Sequence, residues 1–196
     1  MTQILVDQFQ GSLYVFADGR ATSDTRLITD SDMKISHVIS PSGLEIIWSF
    51  AGSVGGDLWF KRFLTEESED KIISNLLEDT KECGVSGFLI FKTSKNEVML
   101  FDIMSDSITK EKGAWQRHLP LSEPISAGCG GPMLEIAYLA TKTPKAKTED
   151  KYLLKVAKAF ELVASKELSC NGLTSVAKLD LSTGEVVSTV KVVTYE

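Results

Sequence analysis

Basic charge, cysteine, histidine and proline are all scarce in this chain of 196 residues. It has 21 Lys and Arg against 27 Asp and Glu, 3 Cys, 2 His and 5 Pro. A formal net charge of −6 with no basic cluster argues against a nucleic-acid binder, which must neutralise phosphates. Cys83, Cys129 and Cys170 are odd in number and lack CxxC spacing, which argues against a disulfide framework or a zinc knuckle and fits a reducing, cytosolic compartment. No metal or cofactor set emerges around His37 or His118. No apolar run is long enough to span a membrane, and Asp7 and Asp18 interrupt the stretch where a signal peptide would be continuously apolar.

What remains is 43% hydrophobic and 24% charged, the composition of a folding globular chain, and its length fits one domain over residues 1–196. Two β-rich runs, 3–7 and 12–17, flank Gln10-Gly11 and predict an opening hairpin. A polar stretch to about Asp32 separates it from strands over 34–40 and 44–50. A helix is expected over 55–64, then a second opened by the acidic run Thr65–Glu69, with Ile72, Ile73, Leu76 and Leu77 on one face and Gly84 as its stop. Strands over 87–91 and 98–103 flank the polar tip Thr93–Asn96. A short strand near 124–128 enters a helix through Gly128-Cys129-Gly130-Gly131-Pro132. A second helix over 148–166 carries a wide apolar stripe, and a last hairpin turns around Ser182-Thr183-Gly184. Strands, two helices, strands, two helices and strands, with hairpins and no βαβ alternation, predict an α+β fold. A four-layer αββα sandwich of two antiparallel sheets satisfies that order, as do other α+β arrangements.

Thr2, Asp18 in the segment Phe16–Thr22 (FADGRAT) and Lys34 in SDMKIS, taken with their spacing, resemble the proteasome β-subunit family of N-terminal nucleophile hydrolases, closest to its bacterial HslV-type proteolytic subunit. The segment WSFAGSVGGD resembles the family's A-G-x-x-A-D, with one extra residue between Gly52 and Asp57, and ISAGCGGPMLEIAYLA resembles its G-S-G-G segment with Cys129 in place of serine. The resemblance implies the N-terminal nucleophile hydrolase fold, the αββα sandwich. It also implies a threonine-type peptidase subunit of a self-compartmentalising protease, self-associated into stacked rings, acting on polypeptides and fed by a separate ATP-dependent unfoldase. This chain has no GxxxxGKS loop of its own.

Under that resemblance Thr2 is the nucleophile once Met1 is removed, and its own α-amine is the base. An α-amine with an ordinary pKa of about 7.7 to 8.0 has a substantial neutral fraction near pH 7, unlike a lysine. Lys34, held by Asp18, is the cation beside it; Gly52 offers a backbone N–H to the oxyanion. Cys129 stands where the family's serine relays a proton, as a weaker donor and acceptor. With Met1 retained, Thr2 is only the first residue of a strand. A catalytically silent ring or interaction subunit, and an amidase acting on a small amide, are the alternatives.

Overall fold

The structure is a computed structural model that describes residues 2–23, 26–29, 34–52, 68–80, 84–105, 112–141, 146–168 and 170–189. The helix expected over 55–64 lies outside them. Strands β1 (Ile4–Phe9) and β2 (Ser12–Asp18) form the opening hairpin, and Gln10 and Gly11 both adopt positive φ (49° and 82°), as a two-residue turn matched to strand twist requires. A small separate antiparallel pair, β3 (Ala21–Ser23) with β4 (Arg26–Thr29), lies in the polar stretch for which no strand was expected. Then come β5 (Ile35–Ile39), β6 (Glu45–Gly52), helix α1 (Glu69–Thr80), β7 (Val85–Lys92), β8 (Val98–Ser105), β9 (Lys112–Arg117), β10 (Ile125–Ala127), α2 (Gly131–Ala140), α3 (Glu149–Ala164), β11 (Leu173–Asp180) and β12 (Val186–Thr189). Strand β9 carries no sequence signal. It is a sheet edge whose Lys112, Trp115, Gln116 and Arg117 face solvent, so it lacks the apolar alternation of a strand packed on one face.

Two five-stranded antiparallel sheets result, ordered β10-β1-β2-β11-β12 and β5-β6-β7-β8-β9. The side-chain alternation of β1 and β2 assigns the layers, because successive residues point to opposite faces. Ile4, Val6, Leu13, Val15 and Ala17 face inward and meet Ile47, Phe88, Ile90 and Leu100 of the other sheet. Leu5, Tyr14 and Phe16 face outward under Leu134, Tyr138, Tyr152, Val156 and Phe160 of α2 and α3. Both faces of these strands are apolar, since neither sees water, and they read as continuous hydrophobic runs.

On the far side of the second sheet, Leu44, Ile46, Trp48, Leu89 and Phe91 pack on α1 through Ile72 and Leu76, each fully buried and each contributing about 1.5–3 kcal/mol. The four layers are therefore helix, sheet, sheet, helix, and the expected αββα sandwich is the observed one. Helix α3 starts where Thr148 accepts the Lys151 N–H at 3.4 Å, with Glu149 and Asp150 complementing the positive end of the helix dipole. Among the described residues no helix is long and apolar enough to cross a membrane.

Candidate active site

Four of the five residues selected from sequence converge at one end of the sandwich. Thr2 precedes β1 and is 6% exposed; Asp18 ends β2 and is fully buried. Lys34 precedes β5 in the opposite sheet, and its ammonium reaches across to donate to Thr2 Oγ1 at 3.0 Å, Asp18 Oδ1 at 2.8 Å and the Arg20 carbonyl at 2.5 Å. Three oxygens thus accept from one ammonium, which fixes its position relative to the Thr2 hydroxyl.

Cys129 lies in the elbow between β10 and α2. The Thr2 backbone nitrogen lies 3.3 Å from Cys129 Sγ, and the thiol in turn points at the Thr2 carbonyl, 3.6 Å away. That carbonyl also accepts the Gly130 N–H at 3.3 Å. Gly128 (φ +83°) lets the elbow come this close, since a Cβ there would collide with the Thr2 carbonyl oxygen.

Gly52 is less direct. It terminates β6 at φ +129°, and a Cβ would stand 2.6 Å from the Gly84 carbonyl, so the approach of β7 already accounts for glycine there. Its neighbour Ala51 lies against the Gly128 elbow, with 3.3 Å between the Ala51 methyl and a Cβ built on Gly128. Gly52 is therefore at this end of the sandwich, but as the end of a strand among the described residues.

Two residues without a sequence signal complete the surroundings of Asp18. The Gln3 amide donates to Asp18 Oδ1 at 3.0 Å and the Asn171 amide to Oδ2 at 3.3 Å; Asn171 Oδ1 accepts the Gly19 N–H at 2.8 Å. Asn171-Gly172 reads in sequence as a turn dipeptide and Gln3 as one polar residue before an apolar run; the first hairpin brings Gln3 to Asp18, and Asn171 joins them only when β11 pairs with β2. Burial pushes the Asp18 carboxyl above its ordinary range, while Lys34 and the two amides pull in the other direction. His37 is elsewhere, bonded to Glu45 at 3.1 Å, with Lys92 on the other carboxylate oxygen at 2.5 Å. No group of His, Cys, Asp and Glu among the described residues is arranged to hold a metal.

The chain matches no family model and no curated protein at a significant level. Solved structures do match. An Anbu Gly-1 mutant from Hyphomicrobium sp. strain MC1 superimposes with a TM-score of 0.73 at 11% identity, over 98% of this chain and 88% of that one. Anbu, an ancestral beta-subunit, from Yersinia bercovieri gives 0.65 at 10% identity, over 97% and 88%.

The fold is that of the proteasome-like N-terminal nucleophile hydrolases. At these identities the likeness carries the fold, and it corrects the expectation of an HslV-type chain, because these two structures are Anbu proteins and closeness to an HslV-type subunit is not shown. The physical reason is that the Thr2, Asp18 and Lys34 spacing follows from a hairpin leading into a strand of the facing sheet. That layout belongs to the sandwich as a whole and so does not separate its branches.

Proposed function

We propose that this chain is a threonine-type peptidase subunit whose nucleophile is Thr2 after Met1 is removed. The observation that carries the reading is the buried Lys34 ammonium held between Thr2 Oγ1 (3.0 Å) and Asp18 Oδ1 (2.8 Å). Removal of Met1 converts the Thr2 nitrogen from an amide into an α-amine, whose pKa the nearby Lys34 charge lowers so that more of it is neutral near pH 7.

The neutral amine takes the Thr2 hydroxyl proton as Oγ1 attacks the substrate carbonyl carbon. The Lys34 ammonium stabilises the oxygen that gains charge, and the Gly52 N–H is the proposed donor to the tetrahedral oxyanion. The protonated amine gives its proton to the leaving amine, an ester on Thr2 remains, and water then hydrolyses it. Cys129 Sγ, 3.3 Å from the Thr2 nitrogen, assists this proton movement with a weaker donor and acceptor than a hydroxyl.

Self-association is part of the proposal, with polypeptide substrates entering an enclosed chamber and a separate ATP-dependent unfoldase delivering them. Its support is α2, whose exposed residues Pro132, Met133, Ile136, Leu139 and Ala140 are all uncharged; Ile136 is 68% and Leu139 59% exposed. A catalytically silent ring subunit is the second reading, favoured by the thiol of Cys129 where a hydroxyl would serve the amine better.

The test is protein beginning at Thr2, assayed on short fluorogenic peptides beside protein retaining Met1 and the Thr2→Ala variant. Hydrolysis by the first alone supports the peptidase. Full activity in Thr2→Ala would overturn it, and no hydrolysis or threonine-directed labelling with Thr2 exposed would leave the silent subunit.

A further inference from the structure

We infer that Gln3 is a positioning residue for the Asp18–Lys34 pair, its buried side-chain amide locking together the two backbone N–H groups that hold the Asp18 carboxylate. Gln3 is fully buried, which is costly for a carboxamide unless its donors are used. Its Nε2 donates to the Asn171 carbonyl at 2.6 Å and approaches the Phe160 carbonyl at 3.4 Å. Two carbonyls fix the amide orientation, since its oxygen turned towards them would face two other acceptors. Oε1 accordingly lies on the other side, buried and without a hydrogen-bond partner among the described residues.

The consequence is a closed ring of contacts. The Gln3 main chain grips Asp18 Oδ1, its side chain grips Asn171, and the Asn171 main chain grips Asp18 Oδ2. The same side chain ties the start of β1, next to Thr2, to the last turns of α3 and to the approach to β11. A carboxylate with both oxygens fixed presents Oδ1 to Lys34 in one orientation, and Lys34 in turn meets Thr2 Oγ1. Among the described residues, Lys34 is the charged side chain facing Asp18, and the other contacts on the carboxylate are main-chain amides. That this alignment serves acyl transfer rests on the peptidase reading above; that Gln3 sets the carboxylate does not.

The test is the titration of the Asp18 carboxyl carbon, followed by NMR in protein with carbonyl-13C aspartate, in the full chain and in Gln3→Met, which keeps the length and loses the donor. Freed from Gln3, the Asn171 N–H no longer holds Oδ2, and the Asp18 midpoint rises by about one unit. Gln3→Asn, whose amide is one methylene short, gives the same shift and serves if Gln3→Met does not fold. Ile46→Val, remote beneath α1, is the control for general loosening and leaves the midpoint unchanged.

An unmoved midpoint in both Gln3 variants, or an equal shift in the control, overturns the inference. Where Thr2-exposed protein hydrolyses peptides, the Gln3 variants lower kcat with little change in KM and displace the acid limb upward by the same amount. Absence of hydrolysis in the parent counts against the peptidase reading, while the titration still decides Gln3.

Discussion

Replacing Lys34 with Met should destabilise the protein, and a second substitution should recover most of the loss. Asp18 is fully buried and Lys34 is 8% exposed, so the ion pair is screened little by water. Removing only the cation leaves an uncompensated carboxylate inside the protein, a change that costs about 3–5 kcal/mol. For a chain of this length each kcal/mol moves the midpoint by about 2–4 °C, so Lys34→Met should unfold roughly 6–20 °C lower at pH 7. Asp18 already has its pKa raised by burial, with Lys34 opposing that rise. Without Lys34 the carboxyl rises further, and the folded state then binds a proton that the unfolded chain releases at about pH 3.9. A raised folded-state value contributes stability that is complete below the unfolded pKa and is lost as pH rises through the folded one. The variant's deficit relative to the parent should therefore shrink at pH 4 and be largest above neutrality. Lys34→Met with Asp18→Asn removes the charge altogether and should recover most of the loss without recovering hydrolysis. Urea denaturation of the parent, Lys34→Met and the double variant at pH 4 and pH 8 reads this directly. A double variant no more stable than Lys34→Met, or a deficit that grows on acidification, would refute the reasoning.

Cys129→Ser places a hydroxyl beside the Thr2 nitrogen and should raise kcat several-fold in Thr2-exposed protein, whereas Cys129→Val should lower it; equal rates in all three would remove Cys129 from the mechanism. Tyr138→Phe deletes the 2.6 Å hydrogen bond to Asp7 Oδ2, leaving that buried carboxylate with Tyr152 at 3.2 Å, and should cost about 1–3 kcal/mol in urea unfolding. Gly128→Ala combines a strained positive φ, a cost of about 1–3 kcal/mol, with a collision at the Thr2 carbonyl. Its hydrolysis should fall by more than the unfolded fraction explains, as judged by activity per folded molecule.

How far the sequence could be read follows from which contacts are local. Gln10-Gly11 announces the first hairpin because the turn chemistry lies in the two residues themselves, and the Ile72/Leu76 face announces α1 because one helix generates its own period. The β9 edge, the β3–β4 pair and the Asn171 clamp were not legible, since an edge strand faces water and Asn171 acquires its role only beside Asp18, 153 residues away.

By itself, the sequence determined an α+β class through apolar runs with hairpin turns, and its resemblance to the proteasome β-subunit family pointed to the sandwich and to Thr2, Asp18, Lys34 and Cys129. Only the tertiary structure decided that these four share one end of the sandwich, because Lys34 and Cys129 reach Thr2 from a second sheet and from an elbow 127 residues away. It also decided that Gln3 and Asn171 complete the group. The Gln3 N–H meets Asp18 within the first hairpin, but the Asn171 bonds to Asp18 and to the Gln3 side chain form only when β11 pairs with β2, and together they leave the Asp18 carboxylate one favoured orientation.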